Sequence, residues 1–531
     1  MARRVSCGLA LAVLCTGGAV AQERIDSDMN WRIRQEANTN SQIMASVHKL
    51  TDLYGPRLTG SPSLEAAGHW AIEQMEAWGL ANGRMEPFDF GYPGWSNERL
   101  SAHLVAPVTD PLVAEALAWT PGTNGPVRAE VLHLVPPSGP TEAELGRFLT
   151  EHRDAVCGKA VFVGEPIVVG VTMSGSARRR EDTALARQYD SSAATGGPGG
   201  GGGRGGRSRS EERPLSGREV ERRLAAFLRD AGAAARVNDA GRDHGQIRAF
   251  QNRTYDVTEV VPTLVMRNED YGRIVRLLRN GSGPVEVELD ITNQIHPDGV
   301  TVYNAIAEIP GTDLADEVVM LGGHLDAWHA ATGATDNAVG VAVMMEAARI
   351  LVALGTEPRR TIRVALWGGE EQGLLGSQAY VREHFGTAED PTPTHAKFGG
   401  YFNIDSGTGR ARGMQVFGPS TAGDILDEVL APFLDLGVMG ARTTSSRRIA
   451  GSDHSSFNAA GLPGIGVQQD PIQYGSYTWH TNLDTYERVL EQDAIASATS
   501  IAAAVYHLAM REGLLPRFSD DQMPRAPRTA P

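Results

Sequence analysis

The stretch EVVMLGGHLDAWHAATGATDNAVG, residues 317–340, decides how this chain folds. Glu317 to Leu321 is a short apolar run of the kind that forms a strand buried on both faces. Gly322-Gly323 follows it, and His324-Leu325-Asp326 come next. Gly333-Ala334-Thr335-Asp336 then leads into Asn337 to Leu354, whose apolar residues surround the axis as in a core helix. Further strands are predicted over Thr361 to Trp367, Gly400 to Ile404 and Ile465 to Val467, and a helix through Leu374, Tyr380 and Val381. Strands alternating with helices predict an α/β fold, a mostly parallel mixed sheet with helices on both faces. In such sheets the reactive site lies beyond the carboxyl ends of the strands.

Upstream, Asn30 to Leu53 reads as a helix on Ile33, Ile43, Val47 and Leu50, followed by a turn at Tyr54-Gly55-Pro56-Arg57. Ser61-Pro62-Ser63 opens a second helix through Trp70, Ile72, Met75 and Trp78, stopped by Gly79. From about Pro126 to about Leu278 short strand patterns dominate, among them Ala160 to Val163 and Pro262 to Met266, with a helix over Glu219 to Ala231. A Gly/Arg run from Gly196 to Ser210 interrupts this region and reads as a disordered insertion, since it has nothing to bury. The tail after Leu515, rich in Pro, Arg and Asp, reads as unstructured.

A chain of 531 residues exceeds one ordinary core and points to two domains or one domain with an insertion. The formal charge of −15 gives no general attraction to nucleic acid or anionic membrane. Arg3-Arg4, the apolar run Leu9 to Leu14 and Ala19-Val20-Ala21 read as an export leader cleaved after Ala21. Cys7 and Cys15 leave with it, so Cys157 can form no intrachain disulfide and is expected as a small buried residue.

Five places carry the candidate chemistry. His324 and Asp326 follow a strand, where imidazole is a good metal ligand; a surface pair is the plain alternative. Asp336 precedes the apolar helix, either as an N-cap or as a carboxylate between two cations. Glu370-Glu371 follow Trp367-Gly368-Gly369; they are either favourable charge at a helix start or a metal ligand beside a base. Asp405 follows the strand ending at Ile404, and His480 lies in the loop Tyr477-Thr478-Trp479-His480-Thr481. Each is ambiguous alone. Together they supply the nitrogen and oxygen donors of a paired zinc site, in which a carboxylate bridges ions about 3.5–4 Å apart.

The order His-x-Asp, Asp-Asn, Glu-Glu, Asp, His at these spacings resembles the M28 metallopeptidases. Within them it is similar to the plasma glutamate carboxypeptidase (carboxypeptidase Q) branch, from Gly55-Pro56-Arg57 to Tyr486. The resemblance implies a zinc aminopeptidase-like fold with an inserted β-rich protease-associated (PA) domain. It divides the chain into a leader (1–21), an N-terminal peptidase part (22–125), the insertion (126–278, with a disordered loop 195–212), a catalytic part (279–515) and a tail (516–531). It implies that His324 and Asp405 hold one zinc, Glu371 and His480 a second, and that Asp336 bridges them. Glu370 would be the general base and Asp326 would orient the His324 ring. Asp453, His454 and Tyr474 would support the site or contact substrate, with Gln468 and Asp470 nearby. Trp479 departs from the branch, which often has a second histidine there.

The implied activity is hydrolysis of terminal peptide bonds by an exported enzyme, periplasmic or secreted, carrying two Zn2+ per chain. Its partners would be peptides, with no nucleic acid, no membrane span in the mature chain and, from the branch, a homodimer. Two alternatives stay open: a metal-free receptor of the same fold, and a glutaminyl-cyclase-like acyltransferase. The peptide end that is cut is also open.

Overall fold

The computed structural model describes residues 24–175, 178–189, 213–252, 254–281 and 283–527. The leader and the Gly/Arg run lie outside the described residues.

Two mixed eight-stranded sheets organise the described residues. The first runs Ala81–Asp89, Thr301–Ile309, Arg360–Trp367, Leu314–His324, Phe398–Asn403, Gly464–Gln469, Ala411–Phe417 and Ala441–Thr444 in spatial order. Its four central strands, Arg360–Trp367 to Gly464–Gln469, are mutually parallel, and antiparallel pairs flank them. The expected mostly parallel mixed sheet is therefore present.

Side-chain alternation explains how both faces are covered. Val319, Leu321, Ile362, Val364 and Leu366 point into the large core with the helices Val339–Ala353 and Glu491–Met510. Val318, Met320, Ala365, Trp367 and Tyr401 point the other way, into an aromatic cluster with Tyr380, Phe385 and Phe457. That cluster lies under the helices Leu375–His384 and His454–Ala459. Fully burying one such apolar side chain stabilises by roughly 1.5–3 kcal/mol, so a strand buried on both faces is held strongly. Gly322 has a specific cause: a Cβ there would fall 1.8 Å from the carbonyl oxygen of Ala365.

The helix Pro62–Trp78 is capped as its sequence predicts. Ser61 Oγ accepts from the Leu64 N–H, Pro62 takes the first turn, and Gly79 closes the end at φ +105°. The helix expected over Asn30 to Leu53 is instead Ser27–Asn40 followed by a helical stretch from Ile43 to Leu53. Asn38-Thr39-Asn40 explains the break, because short polar side chains compete with the backbone for hydrogen bonds.

The second sheet runs Asp110–Pro111, Gly94–Ala106, Glu286–His296, Val127–Leu134, Ala160–Val163, Ala235–Asp239, Thr263–Met266 and Ala114–Ala116. It spans more sequence than the expected 126–278, because Gly94–Ala106 pairs with Glu286–His296 along its whole length. It is also less purely β, with the helices Glu142–Val156, Gly217–Asp230 and Asn268–Arg279 in the same span.

Two further expectations are corrected. Cys157 is exposed, not buried, since it caps the helix ending at Val156. Residues 516–527 contain no helix or strand but are not free: Arg517 donates to the carbonyls of His395 and Phe398, and Phe518 packs edge-on against Phe417.

Candidate metal centre

The carboxyl edge of the parallel strands delivers the polar side chains. His324 is the last residue of its strand, Glu370 follows the strand ending at Trp367, and Asp405 follows the one ending at Asn403. Asp336 lies in the turn before the core helix, where the cap position belongs to Ala338 and no side chain caps it. The plain N-cap role for Asp336 is thereby removed. His480 reaches the same edge from the loop after Gly464–Gln469, in a left-handed conformation at φ +59°.

These side chains form two groups that share Asp336. His324 Nε2 lies 3.3 Å from Asp336 Oδ1 and 3.3 Å from Asp405 Oδ1. His480 Nε2 lies 3.0 Å from Asp336 Oδ2 and 3.0 Å from Glu371 Oε2. Thus each oxygen of one carboxylate faces a different imidazole, and each imidazole faces one further acid. The potential donor atoms within each triad lie within 4.8 Å of one another.

Hydrogen-bond chemistry makes these arrangements fit cations. His324 Nδ1 is 2.9 Å from the main-chain oxygen of Asp326, which can only accept, so Nδ1 carries the proton. In the neutral ring Nε2 then presents a lone pair toward Asp336 and Asp405, the tautomer a metal requires. Asp336 Oδ2 and Glu371 Oε1 are buried without a hydrogen bond, although Oδ2 is close to His480. Without a cation, protons must substitute. Burial opposes the His480 imidazolium, but Asp336 and Glu371 outweigh it and raise its pKa to about 9. Burial, then the Asp336 charge, pushes Glu371 up to about 7. Burial likewise raises Glu370 well above the usual carboxylate range, with the Asp405 and Glu371 charges adding to it. Arg57, buried beside them, directs its N–H groups to the main-chain oxygens of Leu50, Leu325, Thr332 and Gly333. Arg57 offsets part of this acidic charge, through Asp484, Asp326 and Asp336, and metal cations would offset the rest.

The structure revises some expected roles. Asp326 meets the His324 ring through its carbonyl; its carboxylate, 3.8 Å from the ring, accepts from the N–H groups of Glu370 and Glu371, both at 3.1 Å, and from Thr59. Asp326 therefore holds the Glu370-Glu371 turn as well as the histidine. Asp453 is wholly buried, and burial pushes it up to about 7 against the nearby His324 charge and Ser377 hydroxyl. His454 opens the helix behind it, and burial lowers it to about 4. Tyr474 lies over Gly407, whose φ of +91° and missing Cβ leave room for the ring, and it feels the charges of Asp336 and Asp405. Asp470 is no pocket residue: it is buried against Arg412 at 3.1 Å and Arg179 at 3.2 Å. Gln468 belongs to the strand Gly464–Gln469, opposite Gly413, and not to the loop.

Sequence reasoning missed Asp484. Its buried carboxylate accepts from the N–H groups of Thr335 at 2.7 Å and Asp336 at 3.0 Å, fixing the turn that presents the shared acid. Burial and Asp336 push it up to about 7. Its proximity to His480 in sequence was the available signal. A cleft of about 1160 Å3 opens beside Glu371 and His480, walled by Phe250, Trp328, Arg248 and the helix Gly217–Asp230.

The chain is similar in sequence and fold to known peptidases. Residues 304–506 match the model of peptidase family M28. Carboxypeptidase Q of Homo sapiens is 25% identical over 528 residues, covering 96% of this chain and 98% of its own length. The M28 peptidase precursor of Shewanella amazonensis SB2B has the same fold, with a TM-score of 0.62 at 24% identity over 93% of this chain and 99% of that one. BSAP, a zinc aminopeptidase from Bacillus subtilis, matches in fold with a TM-score of 0.53 at 17% identity over 91% and 98% of the two chains. The segment that carries His324, Asp336, Glu371, Asp405 and His480 lies within the residues that match peptidase family M28.

Proposed function

We propose that the chain is an exported exopeptidase that uses two zinc ions to hydrolyse terminal peptide bonds. The observation that carries this reading is the sharing of Asp336, one oxygen toward His324 and the other toward His480. His324 and Asp405 would hold one zinc, Glu371 and His480 the other, with Asp336 between them. Bound there, zinc would polarise the scissile carbonyl and bring a coordinated water to a pKa of about 7.

The chain's own residues supply the rest. Glu370 lies among these acids on the turn held by Asp326. It takes the proton of the attacking water and returns it to the leaving amine, a role worth typically about 10²–10⁴-fold. Burial favours its protonated form, so it can hold that proton between the two steps. Trp328 and Phe250 form an apolar wall on the His480 side, Phe250 standing edge-on to the imidazole at 5.3 Å. Among the described residues no helix is long and apolar enough to cross a membrane. Export rests on the leader, and the mature enzyme would start at Gln22.

Glu370→Gln tests the assignment. Turnover of dipeptides should fall by about 10³-fold or more while zinc content is unchanged. A variant at wild-type rate would remove Glu370 as the base.

A further inference from the structure

Arg248 combines a guanidinium without an anionic partner with a place over the Trp479 ring, next to His480. It forms no ion pair and no side-chain hydrogen bond among the described residues, and its Nε is buried without a partner. Burial, then the charge of Arg242, lowers its pKa. Three other arginines of the same cleft are neutralised: Arg222 by Glu219, Arg229 by Asp230 and Arg236 by Glu221. The Arg248 guanidinium carbon lies over the Trp479 ring, 4.4 Å from its centroid, and the residue lines the cleft that contains Glu371 and His480.

Its position is built, not incidental. Arg248 and Thr481 form an antiparallel backbone bridge. Ile247 N–H donates to Asn482 Oδ1 at 2.8 Å, and Asn482 N–H donates back to the Ile247 carbonyl at 3.0 Å. The loop from the second sheet is thereby zipped to the residues that follow His480. Trp479 and His480 lie with ring centroids 4.4 Å apart, so Arg248 sits one indole ring beyond the imidazole.

We infer that Arg248 is the anchor for the free α-carboxylate of the peptide's C-terminal residue, with Trp479 as the platform that orients it. The inference rests on the exopeptidase reading and deepens it. A half-buried guanidinium without a counter-charge is costly until an anion arrives, and its planar fork suits a carboxylate in bidentate contact. Arg248 and the His480 ring each lie 4.4 Å from the Trp479 ring, and a carboxylate one extended residue, about 3.3–3.6 Å, past a carbonyl held beside His480 would lie between them. Trp479, a departure from the related branch, thus has a function of its own here. The leaving group is a single amino acid, and cleavage is at the carboxyl end.

The experiment compares three peptides on zinc-loaded enzyme: a dipeptide with a free carboxylate, its C-terminal amide, and an amide carrying a glutamate side chain. Turnover is measured on the active enzyme and binding by calorimetry on Glu370→Gln. The free-carboxylate peptide should be preferred by about 100-fold in kcat/KM, and Arg248→Gln should reduce that preference to within about threefold. Arg248→Lys should restore part of it, since charge returns without the fork. In calorimetry the same preference should be seen in Glu370→Gln and lost when Arg248→Gln is added. A preference that survives Arg248→Gln overturns the anchor. Equal preference for the glutamate amide moves the anion to a side chain and overturns the terminal assignment. Absence of turnover on all three peptides refutes the hydrolytic reading, while the calorimetric preference still decides the anchor.

Discussion

Asp484 shows how one carboxylate can govern a site it does not enter. By accepting from the Thr335 and Asp336 N–H groups it fixes the direction of the shared acid. Asp484→Asn puts an amide donor against one of those N–H groups. Outer partners of metal ligands typically contribute about 10–100-fold in affinity, so this variant should bind zinc weaker by that factor in chelator competition. Unchanged affinity would mean that the turn is held by other contacts, such as Thr335 Oγ1 to Thr478 Oγ1 at 2.8 Å. At this scale the sequence was informative where a residue type has one strong chemistry. His324, Asp336, Glu371, Asp405 and His480 could be picked out because each follows a strand end or opens a helix or loop. Arg57 could not, because it acts by hydrogen bonding to the backbone, for which no local pattern exists, and Asp484 was marked only by its nearness to His480.

Elements hold these residues by two devices with different energetics. The loop that leads to His480 starts at Asp470, fully buried against Arg412. Removing one partner of a buried pair leaves an uncompensated charge and costs about 3–5 kcal/mol. Arg412→Met should therefore lower stability by that order in denaturant unfolding, with Arg179 limiting the loss. The double change with Asp470→Leu should recover much of it. The second device is the sheet appended at Gly94–His296, and there the pH sign runs against ordinary expectation. Glu115, in the strand Ala114–Ala116, is pushed up to about 7 by burial alone. A carboxyl with a folded pKa raised above its unfolded 4.5 costs nothing below 4.5. The penalty grows between 4.5 and about 7 and is complete above that. Glu115→Gln should thus raise the melting temperature at pH 8, by on the order of 1–2 kcal/mol of stability, and leave it nearly unchanged at pH 4. Equal effects at both pH values would contradict the assignment. The central parallel strands were legible because they are apolar on both faces. Gly94–Ala106 was not, since Asn97, Glu98 and Arg99 interrupt any apolar run and its pairing partner lies about two hundred residues away.

On the scale of the whole molecule, two sheets cooperate at one cleft. The first supplies the acids and imidazoles from its carboxyl edge; the second closes the cleft with Phe250 and Arg248 and is tied back through Asn482. A sequence reading could find the first half because its residues cluster in motifs. The second half is a matter of distant segments meeting, and only the fold brings Arg248 to His480. Two-metal hydrolysis at this edge requires ions on both sides of the shared carboxylate. Anomalous diffraction at the zinc edge from crystals of the purified enzyme tests this directly. The predicted result is two peaks on either side of Asp336, one against His324 and Asp405, the other against Glu371 and His480. No peak there, or a peak away from these residues, would contradict it.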